Sequence, residues 1–266
     1  YKRLKKFNLS DNDYKYLHKK AKKIGLKVIA TPLTEDKVDL AGSFGEVVKV
    51  ASGDIDFYPT IERIIKNKKK IILSTGNSNI KEIEKTVNHI KKNYRKKKIS
   101  DYLALLHCVS LYPTPIEESN ILKINYLKNR FKNLTIGYSN HCSDRNIVLS
   151  AVANGAKIIE IHITFDKKNK KFHDHFLSFD KTELKELINS IRSVERSIKK
   201  LKINPQKINK EMRKGIIASK NIKRKEIYSL QNLSFARPSK HYNSKDIKKL
   251  IGKKSTKNIK SGFLIN

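Results

Sequence analysis

The sequence predicts an α/β protein, a parallel sheet with helical crossovers, followed by a small β-rich domain. Three observations carry this. Strand-length apolar runs alternate with amphipathic helical patterns through residues 1–200. Such alternation implies parallel strands, because a parallel neighbour is reached only through a long crossover. The periodicity breaks after about residue 200, where short β-like pieces and turn residues replace it. At 266 residues and 38% apolar content, the chain can bury one large domain or a large and a small one.

The strand-like runs are LKVIA (26–30), VVKVA (47–51), KIILST (70–75), YLALLHC (102–108), TIGYS (135–139) and KIIEIHI (157–163). Helical patterns lie near 11–24, 35–42, 58–67, 78–94, 119–131, 143–154 and 181–200. Gly25 and Gly155 suit the position just past a helix end, and Ser78 or Ser143 could cap a helix start. A (β/α)8 barrel has eight strands. Here six are visible, preceded by a helix with no strand of its own. The order fits a TIM barrel lacking its first strand, first helix and second strand, with 26–30 as its third strand and 157–163 as its eighth. The chain starts at Tyr1, inside a basic segment, so the natural N-terminus is expected to be missing. A doubly wound sheet is the alternative. Residues 1–200 form the expected barrel domain and 201–211 a linker. Residues 212–266, with GIIAS, EIYSL, NLSFARP and one helical stretch near 244–251, form the small domain.

No apolar run is long enough to span a membrane, and no secretory signal is visible. The cysteines, Cys108 and Cys142, argue against a disulfide scaffold and fit a reducing cytoplasm. The net charge of +34 would suit a nucleic-acid binder. Yet lysine far exceeds arginine, the lysines run from Lys2 to Lys260, and no aromatic-interleaved basic stripe appears. An AT-rich genome, rich in Lys, Asn and Ile codons, accounts for the charge without a nucleic-acid surface.

In a barrel the functional residues sit at the C-terminal ends of strands. Those positions here hold Thr31, Lys49, Ser52, Ser74, Thr75, Ser110, Ser139, His141, Glu160 and His162. Hydroxyls with a lysine and backbone amides make a phosphate pocket. One Ser or Thr alone reads as a helix cap; recurrence at successive strand ends points to a site. In GAKIIEIHITFDK (155–167), alternation puts Glu160, His162 and Thr164 on one face of a buried strand, with isoleucines on the other. Buried polar groups need partners. His141 and His162 end neighbouring strands, about 4.8 Å apart, and could share one divalent metal, with Glu160 orienting a ligand. Paired core polar residues would produce the same pattern. Two loops can shape a pocket: CVSLYPTPIEESN (108–120), and DKKNKKFHDHFLS (166–178), where His173 and His175 flank Asp174.

KVASGDI (49–55), ILSTGN (72–77), LLHCVSLYPTP (105–115), IGYSNH (136–141) and GAKIIEIHITFDK (155–167) occur in the order seen in the sialic acid synthase family, which the chain resembles along almost its whole length. RKGIIASKNIKRKEIYSLQNLSFARP (213–238) resembles that family's C-terminal antifreeze-like (SAF) domain. The resemblance implies an enzyme, a transferase. It condenses phosphoenolpyruvate with an N-acetylmannosamine-type sugar to a nine-carbon 2-keto acid and phosphate, with Mn²⁺ or Mg²⁺. It implies a homodimer in which the partner's small domain closes over the barrel's site. By motif, Thr31, Lys49, Ser52, Ser74 and Ser139 would hold phosphoenolpyruvate, and His141 and His162 the metal. Tyr112 and Asp174 would contact the sugar, and Arg237 would reach its N-acyl group.

The chain departs from the family pattern in several places. The usual Ser-Asp-His is Ser139-Asn140-His141, a usual asparagine is Ser110, and Gly-Pro-Asp becomes Phe172-His173-Asp174. A glycine-rich stretch is Ser239-Lys240-His241, and the first-strand glutamate and second-strand lysine are absent. The competing readings are a legionaminate or pseudaminate synthase, an inactive truncated scaffold, and, last, a nucleic-acid binder.

Overall fold

The computed structural model describes residues 8–94, 98–167, 173–199 and 209–266. The chain divides into two compact units, Tyr1–Lys200 and Leu201–Asn266. Most of the expected linker, residues 201–208, lies outside the described residues.

The first unit is built on a parallel sheet of five strands. These are β1 (Val47–Val50), β2 (Lys70–Ser74), β3 (Leu103–His107), β4 (Thr135–Ser139) and β5 (Ile159–Glu160). Their spatial order is their chain order. A doubly wound sheet reverses its order at a switch point; this one does not. Lys49 on β1 and Glu160 on β5 stand on the two outermost strands, yet their side chains pair at 3.4 Å. Only a sheet curled toward closure lets its edges meet, so the architecture is a half-barrel of the TIM kind.

The helices follow the expected alternation. They are α1 (Asp11–Lys23), α2 (Val38–Ser43), α3 (Tyr58–Lys66), α4 (Ile80–Tyr94), α5 (Leu122–Arg130), α6 (Arg145–Ala153), α7 (His173–Leu177) and α8 (Lys181–Ile198). Apolar stripes spaced three to four residues apart, such as Ile61 and Ile64 on α3 and Ile83, Val87 and Ile90 on α4, are buried in one core with Val48, Leu73, Leu105 and Ile136 of the strands. Gly25 and Gly155 take the left-handed φ of a helix end, +79° and +92°. The expected serine caps fall one residue short. Asn79 shares a reciprocal pair of hydrogen bonds with Glu82, and Asp144 accepts from the Asn146 amide. Asn and Asp cap about as well as serine, and each stands one residue nearer the helix start.

Two strands are shorter than the sequence predicts. Of 26–30, only Ala30 bridges Val48. Of 157–163, only Ile159 and Glu160 pair with β4, and Ile163, 66% exposed, bridges Phe179 instead. Beyond Glu160 the backbone instead bonds Phe179, through the His162 carbonyl and the Thr164 amide. The expected buried strand is therefore a half-buried one that turns away after two residues.

The small unit pairs β6 (Gly215–Ala218) antiparallel with β7 (Leu233–Ala236) and adds α9 (Ile247–Leu250). The EIYSL segment contributes one bridge, Ile227 with Lys254, rather than a strand. Ile216, Ile222, Tyr228, Leu233, Leu250, Ile259 and Ile265 make a core of its own.

Candidate active site

The C-terminal ends of the strands open into a cleft. It is lined by Lys49, Ala51, Ser52, Ser74, Cys108, Tyr112, Ser139, His141, Glu160, Ile161 and His162. Eight of these are residues the sequence pointed to.

Glu160 Oε1 faces the Lys49 ammonium at 3.4 Å, while Oε2 is buried with no hydrogen-bond partner among the described residues. Ser74 Oγ is likewise buried and, among the described residues, unpartnered. Orphan polar atoms are costly in an interior, so two groups in this cleft stand ready for a ligand. Ser52 Oγ and Ser110 Oγ lie 3.3 Å apart, which brings Ser110 to the cleft's edge.

His141 is the most constrained member. Its Nδ1 lies 2.6 Å from the Val109 carbonyl, which fixes the proton on Nδ1 and leaves the Nε2 lone pair free. Burial pushes its pKa below the ordinary value, so the ring is neutral at neutral pH. The His162 ring stands edge-on to it, with centroids 5.5 Å apart. His162 Nε2 is 3.9 Å from Asp174 Oδ2, so α7 delivers Asp174 to the pair. Tyr112 lies across both rings, 4.0 Å from His141 and 6.2 Å from His162 between centroids. Burial raises the Tyr112 phenol and the Cys108 thiol, keeping both protonated. Among the described residues, no group of three or more His, Cys, Asp or Glu side chains forms a ready metal cage. Two imidazoles beside the Glu160 carboxylate nonetheless fit a hard or borderline divalent ion with open positions.

Other expected residues are not among those that line the cleft. Thr31 is exposed, one residue past the Ala30 bridge, and is not part of the lining. Thr75 donates its hydroxyl to the Leu106 carbonyl and so joins β2 to β3. Thr164 leaves the face it was expected to share with Glu160 and His162, bonding His175 Nδ1 at 2.7 Å. Arg237 belongs to the small unit, where its Nε donates to the Met212 carbonyl at 2.7 Å. Phe172 lies outside the described residues.

Three features were missed in the sequence. Cys108 lines the cleft; as the last residue of a strand-like run it occupied a strand-end position that could have flagged it. The Val109 carbonyl has no sequence signal. Asn140 does not face the cleft. Its side chain is buried, donating to the Cys142 carbonyl at 2.7 Å and accepting from the Cys142 amide and the Tyr138 hydroxyl, both at 3.2 Å. The amide therefore shapes the turn that presents His141, and a carboxylate could not make the first of these bonds.

Comparison with known proteins decides the family. The NeuB family model matches residues 1–202. The chain belongs to the NeuB family. An N,N'-diacetyllegionaminic acid synthase of Campylobacter jejuni is 39% identical over 98% of this chain and 78% of its own length. A pseudaminic acid synthase of the same species is 32% identical, over 90% of this chain and 68% of its own. The crystal structure of the N-acetylneuraminic acid synthetase of Leptospira borgpetersenii superposes with a TM-score of 0.69 at 30% identity, covering 75% of this chain and 68% of that one. The relatives named here for this NeuB chain are thus synthases of legionaminic, pseudaminic and N-acetylneuraminic acids.

Proposed function

We propose that this NeuB-family chain condenses phosphoenolpyruvate with an N-acylated mannosamine-type sugar, N-acetylmannosamine foremost, giving a nine-carbon 2-keto acid and phosphate. The observation that carries the reading is the meeting of Lys49, Ser52, Ser74 and Ser139 with His141 and His162 in one cleft. Lys49 and the serine hydroxyls bind the anionic enol phosphate and stabilise the charge that grows as its C–O bond breaks. Glu160 orients the Lys49 ammonium through Oε1, and its free Oε2 accepts a proton from a sugar hydroxyl or the attacking water. In the overall step the phosphoenolpyruvate methylene carbon bonds the sugar aldehyde carbon, water adds at C2, and inorganic phosphate leaves.

His141 and His162 would hold a divalent cation, Mn²⁺ or Mg²⁺, which when bound polarises the aldehyde oxygen as a Lewis acid. Asp174, beside His162, and Tyr112 are placed to bind the sugar. The SAF-like motif at 213–238 and Arg237 support a second contribution to the sugar's N-acyl group from a homodimer partner. The 39% identity to a diacetyllegionaminic acid synthase favours a second reading, in which the sugar carries two acetamido groups.

Phosphate release from phosphoenolpyruvate, N-acetylmannosamine and Mn²⁺ tests the reading. Release should match 2-keto acid formation mole for mole. His141→Ala and His162→Ala, folded by circular dichroism, should lose Mn²⁺ affinity and turnover together. Wild-type affinity in both variants would sink the metal assignment; a higher kcat/KM with the diacetamido sugar would select the second reading.

A further inference from the structure

We propose that the aromatic ring of Tyr112 positions the two imidazoles, a role separate from any contact its hydroxyl makes with substrate. The inference rests on the reading of His141 and His162 as metal ligands. Its support is geometric. The Tyr112 ring lies over His141, centroids 4.0 Å apart and planes 30° apart, and meets His162 edge-on at 6.2 Å and 88°. One ring therefore touches the flat face of one imidazole and stands perpendicular to the other. Offset-stacked and edge-to-face arrangements are the favourable ones for aromatic quadrupoles.

The loop that carries Tyr112 is tied to His141 on both sides. The His141 ring donates to the Val109 carbonyl at 2.6 Å, and the Thr114 amide donates to the His141 carbonyl at 2.8 Å. Val109 and Thr114 bracket Tyr112, so the loop is clamped to the residue on which its ring stacks. The Val109 bond fixes the tautomer of His141 but leaves the ring free to rock about that bond; the stacked phenol removes this freedom. Among the described residues, His162 has no such backbone anchor on its ring: its Nε2 contact is the 3.9 Å approach of Asp174. The perpendicular Tyr112 ring is what sets its angle to His141. A pair of ligands held at a fixed mutual angle binds a metal without first losing side-chain entropy, and groups that orient metal ligands are worth about 10- to 100-fold in affinity.

Mn²⁺ titration calorimetry on the full chain tests this, with Tyr112→Phe, Tyr112→Leu, Tyr112→Ala and His141→Ala beside the wild type, each checked by thermal melting. Tyr112→Phe keeps the ring and should bind Mn²⁺ within about twofold of wild type while raising the sugar KM. Tyr112→Leu keeps bulk without a ring, and Tyr112→Ala keeps neither; both should weaken Mn²⁺ binding about tenfold or more. If Tyr112→Ala melts early, the Phe and Leu pair decides alone. Wild-type affinity in Tyr112→Leu, or equal loss in Tyr112→Phe, would overturn the positioning role. Unchanged affinity in His141→Ala would instead overturn the metal reading beneath it.

Discussion

His107 ends β3, 1% exposed, with Nε2 donating to the Ser119 carbonyl at 2.9 Å and Nδ1 without a partner among the described residues. Burial pushes its pKa down to about 4, so the folded protein holds it neutral. An unfolded chain regains the ordinary value of about 6.5. Between these values the unfolded state binds a proton that the folded state refuses, so stability falls as pH drops from about 6.5 to about 4 and then levels off. At pH 5 the loss is on the order of 2 kcal/mol. Urea unfolding at pH 7 and pH 5 should show it, and His107→Gln should abolish that part of the difference; an equal pH effect in the variant would show that other groups carry it. The sequence offered no warning of this residue, because a histidine in LLHC looks the same whether its partner is a ligand or a carbonyl twelve residues on. Lys49, Ser74 and His141 were legible because strand ends are fixed positions in a barrel. Thr75 and Thr164 sat at equally good positions, but the backbone nearby claimed their hydroxyls.

The alternation of apolar runs and amphipathic stripes showed the helices and the inner strands, because both periods report burial directly. The outermost strands misled for the same reason. KIIEIHI has the composition of a buried strand, but its pairing with β4 stops after Glu160, and from His162 on the backbone pairs with Phe179 instead. Sequence pattern reports what a strand could bury, not who stands beside it. The close contact between β4 and the chain entering β5 was also invisible. A Cβ added at Gly137 would lie 2.5 Å from Leu106 Cδ2 and 2.6 Å from the Ile158 carbonyl oxygen. The carbonyl is backbone and cannot swing aside. Gly137→Ala should therefore cost about 1–3 kcal/mol by overpacking and lower Tm by several degrees. Gly53→Ala is the control, since a Cβ there meets nothing within 4 Å. Matching melting curves for the two variants would show that the β4–β5 contact relaxes freely.

Across the whole molecule, 59 Lys and Arg residues against 25 Asp and Glu leave a net charge of +34. The cleft itself holds Lys49 beside Glu160, nearly balanced, so the field an approaching ligand feels comes from the surface around it. A positive field raises the local concentration and capture rate of anions and does nothing for neutral solutes. The proposed reaction supplies one of each: phosphoenolpyruvate is a multiply charged anion, and an N-acylated amino sugar is neutral. Screening shortens the reach of the field from about 30 Å at 0.01 M salt to about 10 Å at 0.1 M. The KM for phosphoenolpyruvate should therefore climb steeply as sodium chloride rises through that range, while the KM for the sugar stays nearly flat at saturating phosphoenolpyruvate. Steady-state kinetics in both substrates at four or five salt concentrations would check it. Equal salt slopes for the two would mean the surface lysines are electrostatically silent at the cleft, and that the charge reflects composition alone.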